Sequence, residues 1–248
     1  MTTVKNIYDY INTIAPFNTQ EEWDNSGFLV GEYRKEVKKA VVSLDATKET
    51  VAYAKSVGAD LIISHHPLIF KGAKNVFKGS SLYELIHNDI ALISSHTPYD
   101  KADGGINDNL AQILGLQNIR RHDNGYLVFG ELKDSMSIDD FALFVAQTLD
   151  SHGLRYTDCD KTISTVCVGG GACAEFIADA MECSDCFVTG DLKYHEMLDA
   201  QQDGFAVVSA GHFETENIPF LMIKERLEKI FTDVEFFISP VKNPVLEI

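Results

Sequence analysis

The feature that most restricts the fold is a recurring unit: a short, wholly apolar run closed by polar residues and followed by a stretch with helical spacing. Leu61 to Ser64 is the clearest such run, too short and too apolar for an amphipathic helix, and reads as a strand buried on both faces. Ala40 to Leu44 is a second strand, after which Thr47 can cap a helix through Ser56 that closes at Gly58. The order continues with a helix from Leu82 to His87, a strand from Ile90 to Ser94 and a helix from Ile106 to Leu114 that Gly115 ends. Strands joined through helices imply a sheet that is largely parallel or mixed and covered by helices. An opening amphipathic helix carries Val4, Ile7, Ile11 and Ile14 behind Thr2 and Thr3 as caps, stops at Pro16, and leads into a polar loop.

After Tyr126 the rhythm restarts: strand Leu127 to Leu132, helix Ser137 to Leu149, and strand Ile163 to Val168 running into Gly169, Gly170 and Gly171. A helix from Ala174, a strand from Cys186 to Thr189, a helix from Lys193 and a strand from Ala206 to Ser209 follow, then a helix over about Ile218 to Lys229 and a strand from Val234 to Ile238. The expected fold is α/β with two α/β halves. The polar tract Gln117 to Gly125 is the candidate boundary, giving a first domain over 1–124 completed by 205–248 and a second over 125–204.

With 248 residues there is ample chain for a buried core. The formal charge of −16 opposes nucleic acid as the main partner, because phosphate backbones repel so acidic a body; Lys71, Lys74 and Lys78 form the only dense basic stretch. No apolar run reaches the ~18 residues of a membrane span, and the start lacks a basic segment followed by an apolar one, so the expectation is a cytoplasmic protein without a membrane partner. The five cysteines are odd in number and lie between Cys159 and Cys186, which argues against a disulfide framework. Cys183 and Cys186 form a C-x-x-C without a second pair, and read as partly buried thiols at a strand start.

The chemistry gathers where strands end: Ser64-His65-His66, Ser95-His96 with Asp100 beyond, the glycines at 169–171, Thr189-Gly190-Asp191, and Gly211-His212. Ligands of α/β sheets bind outside the carboxyl ends of the strands. Pro67 stops the strand, so His65 and His66 can share one turn; a lone histidine there would be a hydrogen-bonded structural residue, whereas a pair raises the case for metal. His212 and Glu216 stand four apart on one helix face, as two ligands or as a polar pair at a helix start. His96 and Asp100 bracket Pro98, with Asp103 as a competing carboxylate. Imidazoles mixed with carboxylates suit zinc, iron, manganese, nickel or cobalt better than calcium, which prefers oxygen alone.

The set Trp23-Asp24-Asn25-Ser26-Gly27, Ser64-His65-His66-Pro67, His96-Thr97-Pro98-Tyr99-Asp100, Thr189-Gly190-Asp191 and Gly211-His212 with Glu216 resembles the NIF-three-like family, whose members are often labelled GTP cyclohydrolase 1 type 2. The resemblance spans almost the whole chain and matches the short form without a central insertion. It implies two divalent metal ions on His65, His66, Asp100, His212 and Glu216 with a bridging carboxylate, and a toroidal homohexamer. Phe213-Glu214 departs from the family pattern and adds a carboxylate beside the expected ligands. The expected activity is metal-dependent hydrolysis of a small-molecule substrate, nucleotide-like or a phosphoester, with His96 as acid or base. Glu214, His195 and Asp191 are supporting candidates, and the three glycines would open backbone amides to a substrate. The alternative from another class is a non-catalytic metal-handling or regulatory assembly.

Overall fold

Three serines show how the patterning resolves: Ser43, Ser64 and Ser94 lie side by side at the ends of parallel strands, one at the close of each apolar run. They belong to the first of two units seen in a computed structural model, which describes residues 1–246. This unit comprises Met1–Gly105 and Phe220–Lys242. Its elements run α1 (Val4–Ile14), β1 (Gly27–Val30), β2 (Lys39–Ser43), α2 (Lys48–Val57), β3 (Leu61–Ser64), α3 (Ser81–His87), β4 (Ala91–Ser94) and α4 (Thr97–Lys101). The second unit, Ile106–Pro219 with the stretch from Asn243, holds α5 (Ile106–Ile113), β5 (Gln117–Arg121), β6 (Val128–Met136), α6 (Ile138–Leu149), β7 (Arg155–Tyr156), β8 (Ile163–Gly169), α7 (Ile177–Cys183), β9 (Cys186–Thr189), α8 (Tyr194–Gln202) and β10 (Ala206–Ser209). α9 (His212–Leu221) begins in the second unit, and α10 (Ile223–Ile230) and β11 (Glu235–Ile238) return to the first.

Local chemistry explains the element ends. Thr3 accepts a hydrogen bond from the Asn6 amide and starts α1, which buries Val4, Ile7 and Ile11. Thr47 caps α2 in the same way, and Gly58 ends it at φ 69°, a left-handed conformation that glycine adopts without the Cβ penalty. Ser137 caps α6.

The first sheet has the order β1-β4-β3-β2-β11, parallel except for β1 against β4. Its helix-covered side packs Val41, Val51, Ala54, Ile62, Leu85 and Leu92 into one apolar cluster. The second sheet is mixed, in the order β5-β6-β8-β9-β10-β7, with only the central β8, β9 and β10 parallel. Apolar clusters line both of its faces, one around Val128, Phe141, Val166, Val188 and Val208, the other around Leu127, Cys167, Phe187 and Val207. That alternation along each strand is what a sheet buried on both sides requires.

The structure differs from the sequence reading at three places. The polar tract 117–125 is not a linker: Gln117–Arg121 forms the edge strand β5, and the division falls at Gly105/Ile106 instead of 124/125. The return crossing falls at Pro219/Phe220 instead of 204/205, so β10 and most of α9 go with the second unit. The single helix expected over 218–229 is two, because α9 runs through Pro219 to Leu221 and α10 starts afresh at Ile223. All five cysteines are free thiols, with Cys186 buried on β9. Among the described residues no helix is long and apolar enough to cross a membrane.

Candidate metal centre

In the first unit the polar residues that follow β2, β3 and β4 emerge from one sheet edge, because the three strands are parallel and in register. Asp45 follows β2, His65 and His66 follow β3, and Ser95 and His96 follow β4. Ser64 and Ser94 bind each other through their hydroxyls at 2.8 Å and tie these loops together. His65, His66 and His96 converge so that one ring nitrogen from each lies within 4.8 Å of the others. Asp100, in the one-turn helix α4, brings a carboxylate oxygen to 3.6 Å from His65 Nε2. That separation is too long for a hydrogen bond.

The tautomers follow from the partners. His65 Nδ1 lies 2.9 Å from the Ser95 carbonyl oxygen, His66 Nδ1 lies 2.8 Å from Asp45, and His96 Nδ1 lies 3.0 Å from Asp24. Carbonyl and carboxylate oxygens only accept, so each Nδ1 must donate to its partner. Asp24 is itself fully enclosed and also accepts from the Ser26 hydroxyl, the Thr97 hydroxyl and amide, and the Asn25 amide. Burial alone would raise its pKa, but the bonds from His96 and Thr97 outweigh burial and hold it well below the usual carboxylate range.

The second unit repeats the scheme. Gly169, Thr189 and Ser209 end β8, β9 and β10 in register, and Asp191 and His212 follow. His212 Nδ1 donates to Asp191 at 2.7 Å, and its Nε2 lies 3.1 Å from the buried Glu216 carboxylate, one turn along α9. Burial lowers the His212 pKa, but bonding to Glu216 and Asp191 more than reverses this and pushes it up to about 9.

The expected residues fare differently. His65, His66, His96 and Asp100 come together in the first unit, as do His212, Glu216 and Asp191 in the second. Glu214 instead accepts from the Asn243 side chain at 2.7 Å, and His195 is exposed on α8 against the ring of Tyr194. The glycines do not offer their amides: Gly170 N–H donates to Asn107 and Gly171 N–H to the Thr215 hydroxyl. Their role is close approach, since a Cβ on Gly171 would meet the Glu216 carboxylate and one on Gly190 the start of α9. Two orienting carboxylates went unrecognised in sequence, Asp24 and Asp45. Asp45 stands just beyond a strand end, and the rule that singled out His65 and His96 applies to it equally.

Gly171→Ala is expected to lower unfolding free energy by about 1–3 kcal/mol through left-handed strain and to weaken metal retention by displacing Glu216. Gly115→Ala, also at positive φ but with no atom within 4 Å of its Cβ, carries the strain alone. Urea denaturation and metal analysis of the two variants decide this; equal metal retention would count against the close-approach role.

Comparison with known proteins brings the geometry a family. The model of Duf34/NIF3 (NGG1p interacting factor 3) matches residues 2–244. The chain belongs to the Duf34/NIF3 family. A Clostridium perfringens relative called GTP cyclohydrolase 1 type 2 homolog is 33% identical, with 97% of this chain and 98% of that protein covered. A Helicobacter pylori member called GTP cyclohydrolase 1 type 2 is 31% identical, covering 98% of this chain and 99% of its own. Among solved structures, a Staphylococcus aureus protein superposes with a TM-score of 0.92 at 26% identity, over 100% of this chain and 99% of that one. The two-unit mixed α/β architecture is thus the family fold.

Proposed function

We propose that this Duf34/NIF3 member is a metal-dependent hydrolase of nucleotide-like or phosphoester substrates, with two divalent ions held by His65, His66, Asp100, His212 and Glu216. The observation that carries the reading is the shared treatment of four imidazoles. His65, His66, His96 and His212 each have Nδ1 committed to an oxygen acceptor, the arrangement that fixes tautomer and aim in metal-binding histidines. The donors are nitrogen and carboxylate oxygen, which fit zinc, iron, manganese, nickel or cobalt.

Ions bound there would supply charge stabilisation for the attacked group and acidify a water at neutral pH. The chain's own groups do the remainder. His96, steadied by Asp24, is the group that accepts the proton of the attacking water and returns one to the leaving group. Asp45 and Asp191 keep His66 and His212 aimed, and the buried surroundings of His65 and Glu216 exclude bulk water. The names of the Clostridium and Helicobacter relatives favour a nucleotide over a simple ester. This reading further holds that the protein acts in the cytoplasm as a ring of six chains; light scattering at micromolar concentration tests the ring, and a mass near one or two chains would refute it.

Elemental analysis of protein purified without added metal should find two ions per chain, with at least one fewer in folded His65→Ala and Glu216→Gln. Full stoichiometry in both variants would sink the ligand assignment. A screen of nucleotides and phosphoesters on the loaded protein should then reveal turnover that chelation abolishes. Two bound ions with no turnover of any of them would instead select the metal-handling assembly.

A further inference from the structure

Two large aromatic rings stand in the open beside the imidazoles of the first unit. Trp23 is 59% exposed and Phe70 45% exposed, although side chains of this size ordinarily go inside or are covered. Their rings are near parallel, with centroids 6.4 Å apart at 29°, and both meet the His96 ring edge-on, at 5.5 Å and 70° for Trp23 and 5.7 Å and 83° for Phe70. His96 in turn lies 5.0 Å from His65 and 5.4 Å from His66 by ring centroids. The exposed rings therefore lead straight to the nitrogen cluster.

The rings sit on a pinned support. Asp24 follows Trp23 directly and is anchored by its bonds to His96, Ser26 and Thr97. The next residue, Asn25, donates its side-chain N–H to the carbonyl of Ile69, the residue before Phe70, so the two ring-bearing loops are tied to each other. Fixed, solvent-facing π surfaces at a reaction centre cost apolar exposure and lose little side-chain entropy when a flat ligand covers them. Charge adds a second preference: Lys71, Lys74 and Lys78 are all exposed on the loop that continues from Phe70, in a chain of net charge −16.

We propose that Trp23 and Phe70 form a stacking site for a flat, π-faced ring in the substrate, with the adjoining lysines favouring an anionic substituent on it. The substrate is then a heterocycle carrying phosphate instead of a plain phosphoester. This rests on the hydrolase reading for its biological meaning but makes a separate claim about binding. Trp23 performs no proton transfer and holds no ion; it selects and positions.

The test uses the full chain and a built-in reporter, because Trp23 is the single tryptophan. Adenosine and guanosine monophosphates should quench its fluorescence saturably, whereas ribose 5-phosphate at the same concentrations should not. By calorimetry Trp23→Ala should weaken nucleotide binding about 10- to 100-fold, Phe70→Ala should weaken it in the same direction, and Trp23→Phe should stay within about threefold, because any aromatic face can stack. Metal content should be unchanged in all three. Nucleotide affinity unaltered by Trp23→Ala and Phe70→Ala would overturn the proposal. So would protection of Trp23 from acrylamide in the ligand-free protein, which would show that another copy covers the ring. Saturable binding without turnover would leave this site standing and remove the hydrolase, and turnover with KM unchanged in Trp23→Ala would do the reverse.

Discussion

Asp24→Ala is expected to lower the unfolding free energy by about 3–5 kcal/mol, the range for removing one partner from a buried charged network. The carboxylate is fully enclosed, and its loss strands donors from His96, Ser26, Thr97 and Asn25 at once. Asp24→Asn keeps the shape but turns an amide N–H₂ toward donors, so it should recover only part of the loss. The charge also sets a pH dependence. The folded pKa is depressed below the unfolded value of 3.8, so the stabilisation is complete above that pH and is lost as the medium falls through and below it. The stability gap between wild type and Asp24→Asn should accordingly be widest near neutrality and narrow below pH 3.8. Urea titrations at neutral and acid pH test this; a gap that stays constant would show that the carboxylate is not ionised in the fold.

The second large effect is on metal affinity. His66→Ala removes a ligand of the proposed site and should abolish one ion at micromolar metal. Asp45→Ala leaves the ligand but frees its ring, and should weaken retention by about 10- to 100-fold, as orienting partners commonly do. Asp45 accepts from His66 at 2.8 Å and is partly exposed, so its replacement should leave the fold intact. Competition with a chromogenic chelator measures both variants. Wild-type retention in Asp45→Ala would show that His66 is aimed by packing alone.

The interior strands were legible in the sequence, and so was the edge strand β11, whereas the edge strands β1, β5 and β7 were missed. β3, β9 and β10 sit between neighbours on both sides, so every residue is apolar or ends the run, and the sequence bounds coincide with the structural ones. β5 lies at a sheet edge with mostly exposed side chains, and its Gln, Asn and Arg residues look like a linker. β1, at one edge of the first sheet, is apolar but only four residues long and follows directly on the turn that carries Trp23. Ligand candidates were legible because strand ends expose them in sequence order. Their partners were not, because the contacts of Asp24 with His96 and of Asp45 with His66 join residues 72 and 21 positions apart. The helix expected near 218–229 failed at its start because α9, whose beginning at His212 the sequence did suggest, runs on through Pro219 to Leu221.

The order in which the chain visits its two sheets also governs how it can be made. The second sheet is drawn from the continuous segment Ile106–Pro219, so all of its strands are available as soon as that segment leaves the ribosome. The first sheet is left open on β2 until β11 arrives from residues 235–238 to pair with it, and Thr2 waits equally long for the Asp233 carboxylate that binds its amide and hydroxyl. During synthesis the apolar Val41 and Val42 therefore border an uncovered strand edge for nearly the whole length of the message, which is the interval in which strand edges recruit wrong partners. The last-made strand acts as a closing seal, and a nascent chain stopped before it would be a substrate for chaperones instead of a smaller version of the protein.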